Sequence, residues 1–170
     1  FAARGKNAAV NLLTAGDMKD PVRKKNLQNT LNEILNWKVI PILNENDAVA
    51  TEEIRFGDND ALASQVAIMM NAQKLILMTD VEGLYDGDPK TNPRASLITY
   101  RKKVSKAEFS MAPAKAKSQQ GTGGMFSKLQ AASLATQKGI VTHLVKGDIA
   151  KNLIRVAEGE NIGTQIGGTP

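Results

Sequence analysis

The 170-residue sequence contains no cysteine and a single histidine. The first absence excludes disulfide staples, thiolate nucleophiles and cysteine-based metal sites. The second removes the usual general base and metal ligand, unless His143 acts alone. His143 lies in the apolar run Val141-Thr142-His143-Leu144-Val145 with no second histidine or orienting carboxylate nearby, so it reads as a structural strand residue. Aromatic residues make up only 4% of the chain, which leaves few platforms for stacking nucleic-acid bases. No apolar run reaches the roughly 18 residues of a membrane-crossing helix, so no membrane span is expected, and the lack of cysteine fits a cytoplasmic location. The opening residues, Phe1 to Lys6, lack the apolar segment of a signal peptide. The chain starts on Phe1 rather than Met, so it is expected to begin inside a longer polypeptide.

The residues present describe a globular α/β protein. Hydrophobic residues are 42% and charged residues 23%, enough of each for one domain with a real core. The net charge is +5, but the basic residues are scattered and match no nucleic-acid signature, so no nucleic-acid partner is expected. An excess of cations also suits a protein that handles phosphates and carboxylates.

Short apolar runs at Ala8–Leu13, Val39–Leu43, Lys74–Met78 and Val141–Val145 read as strands, with Asn161–Ile166 as a last extended piece. Between them lie helical patterns. Asp20-Pro21 offers a cap and a first-turn proline, followed by Leu27, Leu31, Ile34 and Leu35 at helical spacing, with Trp37 as an anchor onto a sheet. Asp58 or Asn59 caps a second helix carrying Leu62, Val66 and Met69 or Met70. A third carries Leu129, Ala132, Leu134 and Ala135, and a short fourth spans Ile149–Val156. Thr14–Asp17 reads as a turn, and Thr51–Phe56 as a hairpin arm. Val39–Leu43 reads as a strand covered on both faces, with Pro41 unusual for a central position. Thr99–Gln120 lacks a convincing apolar face and reads as a solvated flap. Strands alternating with helices predict a three-layer α/β sandwich with a mainly parallel central sheet.

Two dense clusters of short polar side chains stand out, Asn44-Glu45-Asn46-Asp47 and Gly57-Asp58-Asn59-Asp60. Such residues are poor in the middle of regular structure and favour turns and helix caps. One follows a strand and the other precedes a helix, which is where ligands bind in open α/β sheets. A second strand ends in Thr79-Asp80. The stretch Gly121-Thr122-Gly123-Gly124-Met125-Phe126-Ser127-Lys128 then runs into a helix. Glycines let backbone N–H groups approach an anion, and the helix adds its positive end. It fits neither the Walker A order nor the dinucleotide fingerprint. An anion cradle with a lysine, a Thr-Asp strand end and two Asp/Asn clusters together form an inventory for phosphoryl transfer. A carboxylate acceptor, already ionised at neutral pH, would need no general base; a hydroxyl acceptor would need one of the aspartates.

Four stretches carry a family resemblance: I-P-I-L-N-E-N-D-A-V at 40–49, F-G-D-N-D-A-L at 56–62, L-M-T-D-V-E-G-L-Y at 77–85 with D-P-K-T-N-P at 88–93, and G-T-G-G-M from 121 running on to Ala132. In this order and spacing they resemble the glutamate 5-kinase branch of the amino acid kinase family, over about Leu12 to Thr164. The tandem N-E-N-D and G-D-N-D separate that branch from aspartate and acetylglutamate kinases. The resemblance implies an acetylglutamate kinase-like fold and ATP-dependent phosphorylation of the γ-carboxylate of L-glutamate, the first step of proline biosynthesis. By the same resemblance, Asp47, Asn59 and Asn44 would hold glutamate, and Asp60 would organise the catalytic lysines. Thr79 and Asp80 would contact the nucleotide. Thr122, Gly123, Gly124, Met125, Phe126, Ser127 and Lys128 would form the phosphate loop, with Lys128 stabilising the transferred group. Mg²⁺ would enter with ATP, proline is the candidate feedback inhibitor near the 51–56 arm, and a homo-oligomer is implied. The family's first strand, with a further catalytic lysine and a Ser-Gly-rich loop, has no counterpart here. The chain is therefore expected to be the C-terminal portion of the kinase domain. A non-catalytic amino-acid or nucleotide sensor on the same fold is the alternative.

Overall fold

The computed structural model describes residues 1–49, 58–112 and 124–169. The chain divides into two compact units, Phe1–Leu62 and Ala63–Pro170, with the boundary inside one helix.

In the first unit, β1 (Ala8–Leu13) pairs in parallel with β2 (Ile40–Glu45), Ala8 opposite Ile40 and Leu13 opposite Glu45. Between them run α1 (Ala15–Lys19) and α2 (Pro21–Asn36). The expected turn at Thr14–Asp17 is instead the start of α1. Thr14 and Asp17 form a capping box, the Asp17 carboxylate accepting from the Thr14 backbone N–H and hydroxyl, both at 2.7 Å. Asp20 caps α2 as predicted, accepting from the Arg23 N–H at 2.9 Å. Leu31 and Ile34 of α2 are buried with Leu13, Ala15 and Met18, whereas Leu35 is exposed.

Two further expectations fail in this unit. Trp37 is 71% exposed and anchors nothing to the sheet; it forms the C-terminal cap position of α2, one residue past the last turn that packs inward. Nor is β2 covered on both faces. Its exposure alternates along the strand, and Ile40 and Ile42 stand exposed beside Val10 and Leu12 of β1. Pro41 is accommodated opposite Ala9.

In the second unit the strand order is β3-β5-β6-β4, with β3 (Lys74–Thr79), β4 (Tyr100–Arg101), β5 (Val141–Lys146) and β6 (Thr164–Ile166). The β3–β5 and β4–β6 pairs are parallel and β5–β6 is antiparallel. With β1–β2, pairing is mostly parallel, in keeping with the predicted α/β class. α5 (Met125–Gln137) buries Leu129, Ala131, Ala132 and Ala135 against Leu75, Leu77, Leu144 and Ile166. Small alanines on this face let the helix seat closely on the strands, each buried leucine contributing roughly 1.5–3 kcal/mol. Leu134, expected inward, faces out. The helix over the first boundary, α3 (Asn59–Met69), buries Leu62, Ala67 and Met69, with Val66 only half-buried.

Alternation along β5 puts Thr142 and Leu144 on the α5 face, and His143 and Val145 on the other. α6 (Asn152–Ala157) packs against β5 and β3 there, its buried Val156 lying outside the α5 core and its Val156 carbonyl accepting from the Lys74 ammonium at 2.8 Å. This unit is thus layered helix, sheet, helix. His143 is buried as a strand residue, as predicted. Its Nδ1 has no hydrogen-bond partner among the described residues.

The expected flap at 99–120 is ordered structure as far as Ala112. It holds β4 and α4 (Lys106–Met111). The overlooked signal was Ser105-x-x-Glu108, a capping box in which the Glu108 carboxylate takes hydrogen bonds from the Ser105 N–H and hydroxyl and an ion pair from Arg101 at 2.9 Å. Burial works to raise the Glu108 pKa, but these bonds outweigh it and hold the carboxyl below its ordinary range. Phe109 of α4 packs on Phe126 of α5, ring centres 5.2 Å apart. The arm at 51–56 lies outside the described residues. Among the described residues no helix is long and apolar enough to cross a membrane.

Two predictions follow from this packing. Gly163 has φ +70°, and a Cβ there would collide with the Leu144 carbonyl oxygen. Gly163→Ala should therefore lower unfolding free energy by about 3 kcal/mol, whereas Gly159→Ala, left-handed but in open space, should lose only about 1 kcal/mol; urea titration followed by circular dichroism compares them. Burial, and then the Lys74 charge, hold the His143 pKa below its ordinary value. The unfolded chain then takes up a proton near pH 6.5 that the native chain resists, so the stability is full above that pH and falls as pH drops below it. Thermal melts between pH 7.5 and 5 should show a smaller acid loss in His143→Gln than in the wild type.

Candidate active site

In the first unit, β2 delivers Asn44 and Glu45 at its C-terminal end. The Asn46 N–H bonds to the Leu13 carbonyl at 2.7 Å, and the Val49 N–H returns to the Asn46 carbonyl at 3.1 Å. This ties the turn bearing Asp47 to the ends of both strands. At the start of α3 the cap is Asp58, whose carboxylate accepts from the Ala61 N–H at 2.8 Å. Asn59 and Asp60 then occupy the first turn. Asn44, Asp47 and Asn59 are exposed, Asp60 half-buried. The side chains of Asn44, Asp47 and Asn59 form no hydrogen bond with any described residue. Asp58 caps its helix with its own side chain, so the Asn59 side chain is not used as the cap.

In the second unit, topology places the remaining groups at one edge of the sheet. β3 and β5 run in parallel, Thr79 opposite Lys146. α5 enters β5 after a turn of three residues, so it runs back along the sheet in the opposite direction. Its thirteen residues span about 20 Å, the same as a strand of six. The N-terminus of α5 therefore comes level with the C-terminal ends of β3 and β5. Gly124, its cap residue, supplies no side-chain acceptor, so no cap side chain occupies the N–H groups of the first turn. Within that turn the Ser127 hydroxyl donates to the Gly124 carbonyl at 2.9 Å, and the Lys128 N–H to the same oxygen at 3.3 Å. Met125, Phe126 and Lys128 belong to the same turn. Thr122 and Gly123 lie outside the described residues.

At the end of β3 the Thr79 hydroxyl donates to Asp80 at 3.3 Å, and the Thr79 carbonyl accepts from the Gly147 N–H at 2.8 Å. Asp80 pairs with Lys90, Nζ to Oδ2 2.9 Å. The hydrogen bond and charge of Lys90 hold the Asp80 carboxyl below its ordinary range, and Asp80 raises the Lys90 pKa in return. From sequence Lys90 was only part of the 88–93 stretch and carried no role; it lies ten positions along the chain from Asp80. No three metal-ligating side chains converge among the described residues.

The model of the amino acid kinase family matches residues 1–146. The chain belongs to the amino acid kinase family. Among curated relatives, it is 44% identical to the glutamate 5-kinase of Gloeobacter violaceus over 98% of this chain and 44% of that one. It is 46% identical to the glutamate 5-kinase of Clostridium tetani over 96% of this chain and 61% of that one. The chain thus spans roughly half the length of these relatives. Solved amino acid kinase folds align with it: isopentenyl phosphate kinase from T. acidophilum (TM-score 0.65, 15% identity, 97% of this chain and 62% of that one), and UMP kinase from Ureaplasma parvum (TM-score 0.65, 16% identity, 98% and 63%). At these identities the likeness concerns the fold.

Proposed function

We propose that this chain is part of a glutamate 5-kinase, an ATP-dependent phosphotransferase that makes L-glutamyl 5-phosphate for proline biosynthesis. The observation that carries the reading is 44–46% identity to curated glutamate 5-kinases over nearly the whole chain. The geometry is consistent with it. The first turn of α5, with Gly124 to Ser127 and the Lys128 ammonium, suits the phosphates of ATP, and Thr79 and Asp80 suit the rest of the nucleotide. Asp47 is a carboxylate fit for the ammonium of glutamate, and the carboxamides of Asn44 and Asn59 are fit to donate to its carboxylates. Thr122 and Gly123 extend the phosphate loop in sequence.

In the reaction, a γ-carboxylate oxygen of glutamate attacks the γ-phosphorus, the bond to the bridging oxygen breaks, and ADP leaves with that oxygen. The attacking group is already an anion, so no proton need be removed. What the chain must supply is alignment and positive charge where negative charge accumulates. Lys128 and the α5 amides meet that need, and Asp60 serves to hold cations in place. As part of MgATP, the metal would neutralise phosphate oxygens. Proline inhibition and a homo-oligomer belong to this proposal as properties of the complete enzyme, and so does a cytoplasmic setting.

Hydroxylamine trapping tests the reaction. The natural full-length polypeptide with MgATP and L-glutamate should yield γ-glutamyl hydroxamate, and aspartate or N-acetylglutamate should not; binding of both ligands without product would point to a sensor. Lys128→Ala in that protein should cut kcat by about 100-fold or more with little change in either KM; near-normal turnover would remove Lys128 from the role. Asp47→Ala should raise the KM for glutamate at least about tenfold and leave that for ATP within about twofold. Equal shifts in the two would reject Asp47 as a glutamate ligand.

A further inference from the structure

We propose that Lys90 is a positioning residue of the nucleotide site, neutralising Asp80 so that a carboxylate can stand at the end of β3 without repelling a polyphosphate. This inference rests on the nucleotide reading of that strand end and goes beyond it by adding a residue and a reason for it. The problem is electrostatic. An uncompensated carboxylate beside the approach of an anion of charge near −4 opposes binding, and a fixed cation within hydrogen-bond distance cancels that opposition.

The structure builds the loop to present this lysine. Residues 83–97 leave the sheet and return to it through a cross-braced arm. At its root Leu84 and Ile98 are buried. The Leu84 N–H donates to the Thr164 hydroxyl at 2.8 Å, and that hydroxyl donates to the Ile98 carbonyl at 2.6 Å. Further out, the Asp86 N–H reaches the Ser96 carbonyl at 3.1 Å, and the Ser96 N–H reaches the Asp86 carboxylate at 2.8 Å. At the tip, Asp88 organises a tight turn. Its carboxylate accepts from the Lys90 N–H at 2.9 Å, and its carbonyl accepts from the N–H groups of Thr91 and Asn92 at 3.1 and 2.8 Å. The backbone of Lys90 is thereby fixed, and its side chain needs only to span back to Asp80, 2.9 Å from Nζ to Oδ2.

An exposed ion pair of this kind adds little to stability, so a bracing network that holds Lys90 in place calls for another role. An ammonium carries three donors, so Lys90 can keep one on Asp80 and leave two toward an incoming anion. Arg would conserve this charge; a neutral side chain of similar length would not.

The test is equilibrium binding of ATP and of adenosine to the natural full-length polypeptide, with melting curves as the control for folding. Lys90→Met should melt with the wild type and weaken ATP binding about tenfold while leaving adenosine within about twofold, because only the polyphosphate meets the bared carboxylate. Lys90→Arg, which keeps a cation beside Asp80, should stay within about threefold of the wild type for ATP. ATP binding by Lys90→Met within about twofold of a wild type that binds ATP, equal losses for ATP and adenosine, or a loss in Lys90→Arg as large as in Lys90→Met would each overturn the inference and leave the nucleotide site standing. A wild-type chain that binds no ATP would overturn the nucleotide reading itself, and this inference with it.

Discussion

Parallel pairing of β3 with β5 is the constraint on which the second unit depends. Strands that run the same way cannot be joined by a hairpin, so the chain must cross back along the sheet before it can add the next strand. Here α5 makes that return, and its direction is set by the strands rather than by its own sequence. The first turn of α5 therefore arrives at the edge where β3 ends in Thr79, with Asp80 just beyond. The hydrophobic face of α5 fixes the depth of that approach, and the absence of a side-chain cap at Gly124 fixes its chemistry. In the first unit β1 and β2 obey the same rule, with α1 and α2 as the return, and their shared edge carries Asn44 and the Asp47 turn.

How much of this could be read from the sequence differs from one element to the next, for physical reasons. β1, α2 and β5 were legible because their patterns agree with their surroundings: a capping Asp20 before Pro21, an apolar run long enough for one strand. Local capping chemistry hidden inside polar stretches was passed over. Thr14 with Asp17, and Ser105 with Glu108, each start a helix too short to show a periodic apolar face. Trp37 was misplaced because size and apolarity argue for burial, but a residue at the end of α2 has no inward direction left to take. Leu35 and Leu134 kept helical spacing yet point outward, since spacing alone marks a stripe wider than the contact it makes.

The candidate site was legible as a set of residues but not as an arrangement. Short Asn and Asp side chains at a strand end and a helix start advertise polar convergence, and a glycine run before a helix advertises an anion. The resemblance assigned them roles. What the sequence could not display was the pairing of Asp80 with Lys90, because the loop between them is defined by bonds from Asp86, Asp88 and Thr164 that no periodicity encodes.

The position of Trp37 has a practical consequence. It is the sole tryptophan of the chain, it belongs to the first unit, and its indole is already in water. Its emission in the native protein will be close to that of the unfolded chain and open to quenching by iodide. Intrinsic fluorescence is therefore nearly blind to the opening of the α5–sheet core, and an unchanged spectrum during heating or denaturant titration carries no information about whether the second unit is folded.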